Sequence, residues 1–364
     1  MNRPSRRGWI FIVCGCTTLV LLAVALLLPV PYVKLSPGPT FNVIGVDDGE
    51  PVIAISGTQT YPTTGALDMT TVSELGGPRR GLTFVDALAS WFNSSDAVLP
   101  TRLLFPENLS AEQNATRQQL LFDTSQSEAV AAAMRYLNRP VTTRVVVTGV
   151  ISDSPSDGKF LPRDEIVSVD GRPVKHPEDV GNAITSKPIG TTFDLLISRD
   201  GVKVDGVLKD DVQSHVFLTS EANPDDTSKP RIGIGVGEYY SAGFPIDFTL
   251  QDIGGPSAGT MFAIGIIDKL TPGDLAKGHH IAGTGTIDAN GKVGAIGGIR
   301  QKLAGARNAG AELFLMPKVH CDEAADHVPD GLRVVPIQTL AEAVRAIEDW
   351  TAGKPVPSCP VVGP

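Results

Sequence analysis

The chain has 364 residues, 42% of them hydrophobic, and a formal net charge of −9 at pH 7. This length predicts two or more folded domains rather than one core. The acidic balance argues against a nucleic-acid partner, because binding a polyanion needs a basic surface.

The first feature along the chain is an apolar segment. No charged residue lies between Arg7 and Lys34, and a run of about 20 apolar residues is long enough to cross a bilayer. The arginines before it favour a cytoplasmic N-terminus and an exported remainder. A cleaved signal peptide is the alternative, but the run is too long and no small-x-small cleavage site follows it. We therefore predict a cytoplasmic N-terminus over residues 1–7 and a transmembrane anchor over residues 8–33.

Residues 34–124 are predicted to form juxtamembrane strands and an insertion. The segments 52–55 and 66–72 have β-like composition and are expected to join the sheet of a later domain. Residues 84–92 are expected to be helical and to be followed by a mobile loop. Ser127, a capping residue followed by strong helix formers, predicts that a helix starts there.

The sequence SPSDGKFLPRDEIVSVDG at 154–171 follows a strand-like segment at 143–150. It predicts a buried Leu161, a strand over 165–169, a tight turn and then a helix near 177–185. The phrase resembles the PDZ domains of bacterial envelope proteases, with Arg163 in place of a glycine. The resemblance implies a β-rich PDZ-like domain over residues 125–212, followed by a polar linker over residues 213–229.

PDZ domains bind a peptide by letting it add a strand to an exposed sheet edge. The strand near 145–150 and the helix near 177–185 are therefore the predicted peptide groove. A small β-domain that only packs on its neighbour is the alternative interpretation. The predicted groove residues are Val145, Val146, Val147, Val150, Val180 and Ile184.

The strongest chemical motif is GGPSAG at 254–259, which lies between a strand-like segment and an apolar helical run. This position places Ser257 near a helix N-terminus. Free N–H groups around Gly254–Ser257 would then stabilise an oxyanion, with Gly254, Gly255 and Pro256 as supporting residues. A serine hydroxyl still needs a base before it can attack a carbonyl.

A lysine 45 residues later is the candidate base. Lys302 follows a Gly-Gly turn in GGIRQK at 297–302 and lies early in a predicted helix with an apolar face. Partial desolvation on such a face lowers the pKa of an amine, so that the neutral form becomes accessible. A lysine of this kind can replace histidine as a general base.

These two phrases together resemble the Lon protease domain, whose motifs are PKDGPSAG and GG(I/L)KEK. The resemblance implies a Ser-Lys dyad of Ser257 and Lys302. The hairpin sequence at 281–293 also resembles the family, and implies that the Thr284 hydroxyl lies near the dyad. It implies an α/β proteolytic domain over residues 230–351 and a C-terminal tail over 352–364.

Taken together, the chain is similar to the Lon-like PDZ proteases of the bacterial envelope, the YlbL type. The fold class expected is α+β multidomain, with a transmembrane helix, a PDZ-like domain and a Lon-type domain. No Walker A sequence occurs in the chain, so ATP-independent cleavage of exported or misfolded proteins is expected. The resemblance implies no cofactor and no metal, protein or peptide substrates, and a homo-oligomer such as a hexamer.

Several alternatives stay open on sequence alone. GPSAG also fits the nucleophile elbow of Ser-His-Asp hydrolases, and four histidines follow it. Ser257 by itself is also a common helix cap, and a tethered PDZ scaffold with an inactive protease domain is a further option. A metal site at His320 and His327 fits no protease signature. Cys321 and Cys359 would both be exported, which allows a disulfide between them.

Overall fold

A computed structural model describes residues 6–77, 81–105, 110–204, 207–250 and 253–360. The helices are α1 Arg6–Leu27, α2 Phe84–Ser90, α3 Thr101–Leu104, α4 Ala111–Tyr136, α5 Pro177–Thr185, α6 Gly259–Leu270, α7 Ile299–Asn308, α8 Cys321–Ala324 and α9 Leu340–Thr351.

The strands of the first part of the chain are β1 Pro29–Val30, β2 Tyr32–Asn42, β3 Val46–Asp47, β4 Glu50–Pro51, β5 Ile53–Ile55, β6 Ala66–Gly76, β7 Leu82–Thr83 and β8 Ala97–Pro100. The middle strands are β9 Thr142–Val150, β10 Glu165–Val169, β11 Arg172–Pro173, β12 Thr192–Arg199, β13 Val202–Val204, β14 Val207–Lys209, β15 Val212–Thr219, β16 Glu221–Asn223, β17 Asp226–Arg231 and β18 Ile234–Ser241. The last strands are β19 Ile246–Phe248, β20 His280–Gly283, β21 Thr286–Ile287, β22 Val293–Gly294, β23 Leu313–Pro317 and β24 Arg333–Ile337.

Helix α1 corresponds to the predicted apolar segment. Within the described residues it is the one helix long and apolar enough to cross a membrane, and none of its residues Arg6–Val24 packs inside the protein. The chain leaves α1 through β1, which pairs with β7. The strands that follow α1 therefore start directly at its C-terminal end.

A six-stranded mixed sheet has the order β24-β23-β20-β6-β2-β8. The first four strands are parallel, whereas β2 pairs antiparallel with both β6 and β8. Strands β2 and β6 come from the segment after α1, and β20, β23 and β24 come from the C-terminal part. This confirms the expectation that the segment 66–72 joins the sheet of a later domain.

Helices cover both faces of this mixed sheet. Side chains alternate between the two faces of a strand, so Leu313 and Leu315 of β23 pack in the core with α4, α6 and α9. Phe314 and Met316 point the other way and pack with α7 and α8. A disulfide joins Cys321 of α8 to Cys359 of the tail, which the sequence had left as an option.

The predicted PDZ-like domain is an antiparallel sheet of order β15-β12-β10-β9-β18, with β11 paired to β10. The predicted strand 165–169 and helix 177–185 are confirmed as β10 and α5. The prediction for Leu161 is wrong: Leu161 is exposed, and the neighbouring Phe160 enters the core instead.

The predicted linker of residues 213–229 is also wrong. Strand β15 pairs with β12 over eight residues, and β16 and β17 form a hairpin. These segments are polar because one side of an antiparallel sheet can face water, and polarity alone suggested a linker. Strand β18, predicted to belong to the proteolytic domain, pairs along the whole of β9.

Helix α4 starts earlier than predicted. It begins at Ala111, where Ser110 and Gln113 form a capping box, whereas Ser127 is buried in its second half. The prediction of a mobile loop after residues 84–92 is therefore wrong, because β8 and α3 follow over residues 97–104 and α4 begins at Ala111. The capping pattern Ser-x-x-Gln was visible in the sequence and would have located the start.

Candidate active site

Ser257 lies on the loop that enters α6. Its carbonyl oxygen accepts hydrogen bonds from the Gly285 N–H at 2.9 Å and from the Thr284 hydroxyl at 3.1 Å. The neighbouring Thr260 N–H donates to the Gly285 carbonyl at 3.1 Å. The loop is thus fixed against the chain between β20 and β21, as the hairpin motif led us to expect.

Helix α4 fixes the other side of the loop. The Gly255 N–H donates to the Gln118 carbonyl at 2.9 Å, and the Ser125 hydroxyl donates to the Pro256 carbonyl at 3.0 Å. A Cβ on Gly254 would lie 2.8 Å from the Cβ of Gln118. The close approach of α4 therefore explains the glycine at position 254.

This contact corrects the prediction that the Gly255 N–H is free to hold an oxyanion, because it is already hydrogen-bonded to α4. Pro256 has no N–H. No described residue accepts a hydrogen bond from the Ser257 N–H, which lies at the N-terminal end of α6. The candidate oxyanion donor is therefore the amide of Ser257 itself.

Lys302 comes from the first turns of α7. The helix is preceded by Gly298 in the left-handed conformation, with φ of 70°, and a Cβ at this position would lie 2.7 Å from Val72 of β6. The close approach of β6 brings the start of α7 against the sheet. The Lys302 side chain then reaches across to the loop, with Nζ 2.7 Å from the Ser257 Oγ and 2.9 Å from the Thr284 Oγ1.

The lysine is almost fully enclosed. Only 3% of Lys302 is exposed, Thr284 is completely buried and Ser257 is half-buried. Burial penalises the ammonium form and lowers the pKa of Lys302 to about 7. No neighbouring carboxylate raises the pKa of Lys302 against this effect. The amine is therefore able to exist in its neutral form near neutral pH.

Thr284 orients this amine. Its hydroxyl proton is directed at the Ser257 carbonyl, so its oxygen is left to accept an N–H of Lys302. With one N–H held in this way, the lone pair of the neutral amine is directed to the Ser257 hydroxyl. The three side chains thus have the geometry expected of a nucleophile, a base and an orienting group.

Three histidines that follow Ser257 in the chain are hydrogen-bonded to other groups. His280 contacts Asp68 at 2.8 Å, His279 contacts Glu312 at 2.9 Å, and His320 accepts the Ile296 N–H at 2.9 Å. Within the described ranges, no histidine ring is hydrogen-bonded to the Ser257 hydroxyl, which argues against the Ser-His-Asp alternative. The same ranges contain no cluster of His, Cys, Asp or Glu that would hold a metal ion.

The predicted peptide groove is not where the sequence indicated. Strand β9 is flanked by β10 on one side and by β18 on the other, so it offers no free edge. Residues 145, 147, 180 and 184 lie in the core of this domain, with Val150 packed against it, and Val146 is also buried. The six residues Val145, Val146, Val147, Val150, Val180 and Ile184 are therefore not assigned to a groove.

The sheet has two edge strands, β15 and β18, and α5 lies beside β18. Tyr240 of β18 directs its N–H and carbonyl away from β9, and both are bonded to the Ser127 hydroxyl of α4. One end of the edge strand thus meets the same helix that contacts the Ser257 loop. The pairing of β18 with β9 is non-local, and no local sequence signal predicted it.

Family models match two parts of the chain. Residues 120–208 match the PDZ domain model, and residues 251–348 match the Lon protease (S16) C-terminal proteolytic domain. The chain carries a PDZ domain and a Lon-type proteolytic domain. The resemblance found in the GPSAG and GGIRQK motifs is confirmed, and with it the assignment of a serine-type proteolytic domain.

Curated Lon proteases from several organisms are similar to part of this chain. The Lon protease of Mesomycoplasma hyopneumoniae is 29% identical over 42% of this chain and 18% of its own length. The mitochondrial Lon protease homolog of Candida dubliniensis is 38% identical over 24% of this chain and 8% of its own. Lon protease 2 of Thermus thermophilus is 39% identical over 22% of this chain and 10% of its own. The chain thus spans less than a fifth of the length of these relatives.

Solved structures similar to part of the chain include PDZ domains of SdrC-like proteins. The domain from Listeria innocua is 23% identical and covers 26% of this chain and 92% of its own, with a TM-score of 0.21. The domain from Listeria monocytogenes is 24% identical and covers 26% of this chain and 86% of its own, also with a TM-score of 0.21.

Proposed function

We propose that this chain is a membrane-anchored, ATP-independent serine endopeptidase, with Ser257 as nucleophile and Lys302 as general base. The observation that carries the proposal is the 2.7 Å contact between the Lys302 Nζ and the Ser257 Oγ. The burial that lowers the pKa of this lysine to about 7 supports its role as a base.

In the first half of the reaction, the neutral Lys302 amine takes the Ser257 hydroxyl proton while Oγ attacks the peptide carbonyl. The Ser257 N–H donates to the oxyanion that forms. As the C–N bond breaks, the Lys302 ammonium gives its proton to the leaving amine. The products are a free amine, an ester on Ser257 and a neutral lysine.

In the second half, the same amine takes a proton from a water molecule that attacks the ester. The ammonium then returns this proton to Oγ as the C–O bond breaks, which releases the carboxylic acid. Thr284 keeps the amine directed to Oγ through both halves, because its oxygen accepts an N–H from Nζ. The cycle needs no cofactor and no nucleotide.

The exported location is supported by two features. The apolar run within α1 comes after Arg3, Arg6 and Arg7, which favours a cytoplasmic N-terminus. The disulfide between Cys321 and Cys359 suits an oxidising compartment. Exported or misfolded polypeptides are therefore the proposed substrates, recognised in part by strand addition to the β18 edge. Assembly into a hexamer stays a prediction.

The test uses the purified full chain in detergent, with casein as substrate and no added nucleotide. We expect the wild type to cleave casein and Ser257→Ala to be inactive. Lys302→Ala is expected to lose roughly 10²- to 10⁴-fold in kcat/KM, the usual range for general acid–base catalysis. Lys292→Ala is the matched control, because Lys292 is an exposed lysine of the same domain.

Three outcomes would contradict the proposal. If the Ser257→Ala variant still cleaves casein, Ser257 is not the nucleophile. Loss of activity on changing any one histidine, with Lys302 dispensable, would move the assignment to a Ser-His-Asp hydrolase. A wild-type chain that binds peptides without cutting them would instead be a tethered scaffold.

A further inference from the structure

Helix α2 and the turn after it present an apolar face to the outside of the protein. Trp91 and Phe92 are 79% and 85% exposed, and three large apolar side chains of α2 are also exposed. All five fall at positions i, i+1, i+4, i+7 and i+8, which lie on one side of a helix. This aromatic face consists of Phe84, Val85, Leu88, Trp91 and Phe92.

The polarity of α2 is inverted relative to a surface helix of a soluble protein. Its buried residue is Ser90, only 2% exposed, which donates a hydrogen bond to the Asp86 carbonyl. Asp86, the one charged residue of the helix, is bonded to Thr83 at the N-terminus. A surface helix normally buries its apolar side and exposes its polar side. A contiguous exposed apolar face of this kind marks a docking surface.

The position of α2 indicates what covers this face. The Phe84 N–H donates to the Leu28 carbonyl at 3.3 Å, one residue past the end of α1. The pairing of β1 with β7 fixes the same junction, and α2 contacts α1. Any bilayer that α1 crosses must therefore end beside α2.

We propose that the aromatic face docks on the outer surface of the membrane, with the Trp91 and Phe92 rings at the level of the lipid headgroups. This inference rests on the proposed membrane anchor, because α1 determines where the bilayer ends. Tryptophan and other aromatic side chains are enriched at this depth, where a ring is partly in hydrocarbon and partly in water. The partner is thus a lipid surface rather than a protein.

Docking there also holds the Lon-type domain against the membrane. The segment that follows the aromatic face hydrogen-bonds to the helix of the proposed base, since the Gln301 side-chain amide donates to the Ser95 carbonyl at 3.1 Å. Asp96 forms an ion pair with Lys34 of β2 at 2.7 Å. Both the chain leaving α1 and the docked segment therefore connect the membrane surface to α7.

The experiment measures Trp91 fluorescence in the full chain. Trp9→Phe and Trp350→Phe leave Trp91 as the only tryptophan, and the protein is reconstituted into phosphatidylcholine–phosphatidylglycerol vesicles. Lipids brominated near the headgroup are expected to quench Trp91 and shift its emission to shorter wavelength. The matched control carries Phe217→Trp with Trp9, Trp91 and Trp350 all replaced by Phe. Position 217 is exposed on β15 of the PDZ sheet, and no quenching by lipid is expected there.

A chain that keeps only Trp9 reports on the anchor separately. Quenching of Trp9, the fourth residue of α1, by lipids brominated in the upper part of the acyl chain, without quenching of Trp91, would overturn the docking and leave the anchor standing. Absence of quenching at Trp9 would refute the anchor, and the docking with it. Shielding of Trp91 from aqueous iodide without quenching by brominated lipid would show that a second copy of the chain covers the face, which also overturns the proposal.

Discussion

Among the described residues, the Nζ of the buried Lys302 hydrogen-bonds to two hydroxyl groups and to no carboxylate. Desolvation lowers the pKa of an amine because it penalises the charged form. Burial, rather than a neighbouring charge, is therefore the feature that sets its chemistry.

This burial predicts how activity depends on pH. Lys302 acts as a base only when neutral, and its pKa is lowered to about 7. Below that pH the neutral fraction falls about tenfold per pH unit. We therefore expect kcat/KM for a peptide substrate to rise with pH up to about 7 and to level off above it. A rise that continues toward the ordinary lysine pKa would show that the amine is not desolvated in the working enzyme.

Thr284 is predicted to act as a positioning residue. Thr284→Val keeps the shape but removes the oxygen that accepts the Lys302 N–H, so we expect kcat to fall about tenfold, the effect of a lost hydrogen bond to a charged group. The lost acceptor also destabilises the ammonium, so the acid limb of the pH profile should move to lower pH. Thr284→Ser, which restores the hydroxyl, should restore both kcat and the position of the acid limb. A lower yield of folded protein with an unshifted pH limb would indicate a structural role only.

At the scale of single elements, α4 connects the edge of the PDZ sheet to the loop of the nucleophile. Its Ser125 hydroxyl donates to the Pro256 carbonyl, and its Ser127 hydroxyl accepts the Tyr240 N–H. These two serines are two residues apart, yet they bond to different domains. The helix is therefore the direct physical link between the β18 edge and the Ser257 loop.

The two serines form a matched pair for mutation. Ser125→Ala frees the carbonyl that precedes Ser257, and the loss of one hydrogen bond of about 1 kcal/mol is expected to lower kcat about fivefold. Ser127→Ala changes the contact with β18 and leaves the loop bonds in place, so kcat on a short peptide should stay unchanged. The measurement is the kcat of both variants on the same short peptide. Equal losses in the two variants would mean that α4 acts only through overall stability.

The elements that the sequence predicted well have local signals. Strand β10, the tight turn after it and helix α5 follow from alternating apolar residues and the Asp170-Gly171 pair. The Ser257 and Lys302 motifs each lie beside glycines that the structure requires for close packing against α4 and β6. Strand β18 was misassigned because its partner β9 lies more than 80 residues earlier, and pairing over that separation leaves no local pattern. The prediction of the groove residues was wrong for the same reason, because whether a strand lies at the edge of a sheet depends on which distant strands pair with it.

At the scale of the whole molecule, the PDZ domain is inserted into the proteolytic fold. Strands β2 and β6 precede it in the chain, and β20, β23 and β24 follow it, yet all five belong to one sheet. The segment leaving α1 is thus part of the catalytic domain and not a spacer, because β6 packs against the glycine that starts α7. Helix α1, the PDZ domain and the Ser257–Lys302 pair are consequently joined through a few short connections.

In the proposed topology every element after α1 lies on one side of the membrane, which the cysteines can test. Cys321 and Cys359 close a loop with a sequence separation of 38, and a disulfide persists only in an oxidising compartment. We expect that cells producing the full chain, lysed in acid and denatured before alkylation, yield a protein in which these two thiols are blocked until a reductant is added. Cys14 and Cys16 of α1 are free and serve as the internal control for alkylation. Cys359→Ser should free Cys321 and lower the free energy of unfolding by about 4 kcal/mol, the entropy of a loop of this length. Alkylation of all four cysteines without reductant would place the Lon-type domain in a reducing compartment, and the proposed exported topology would be wrong.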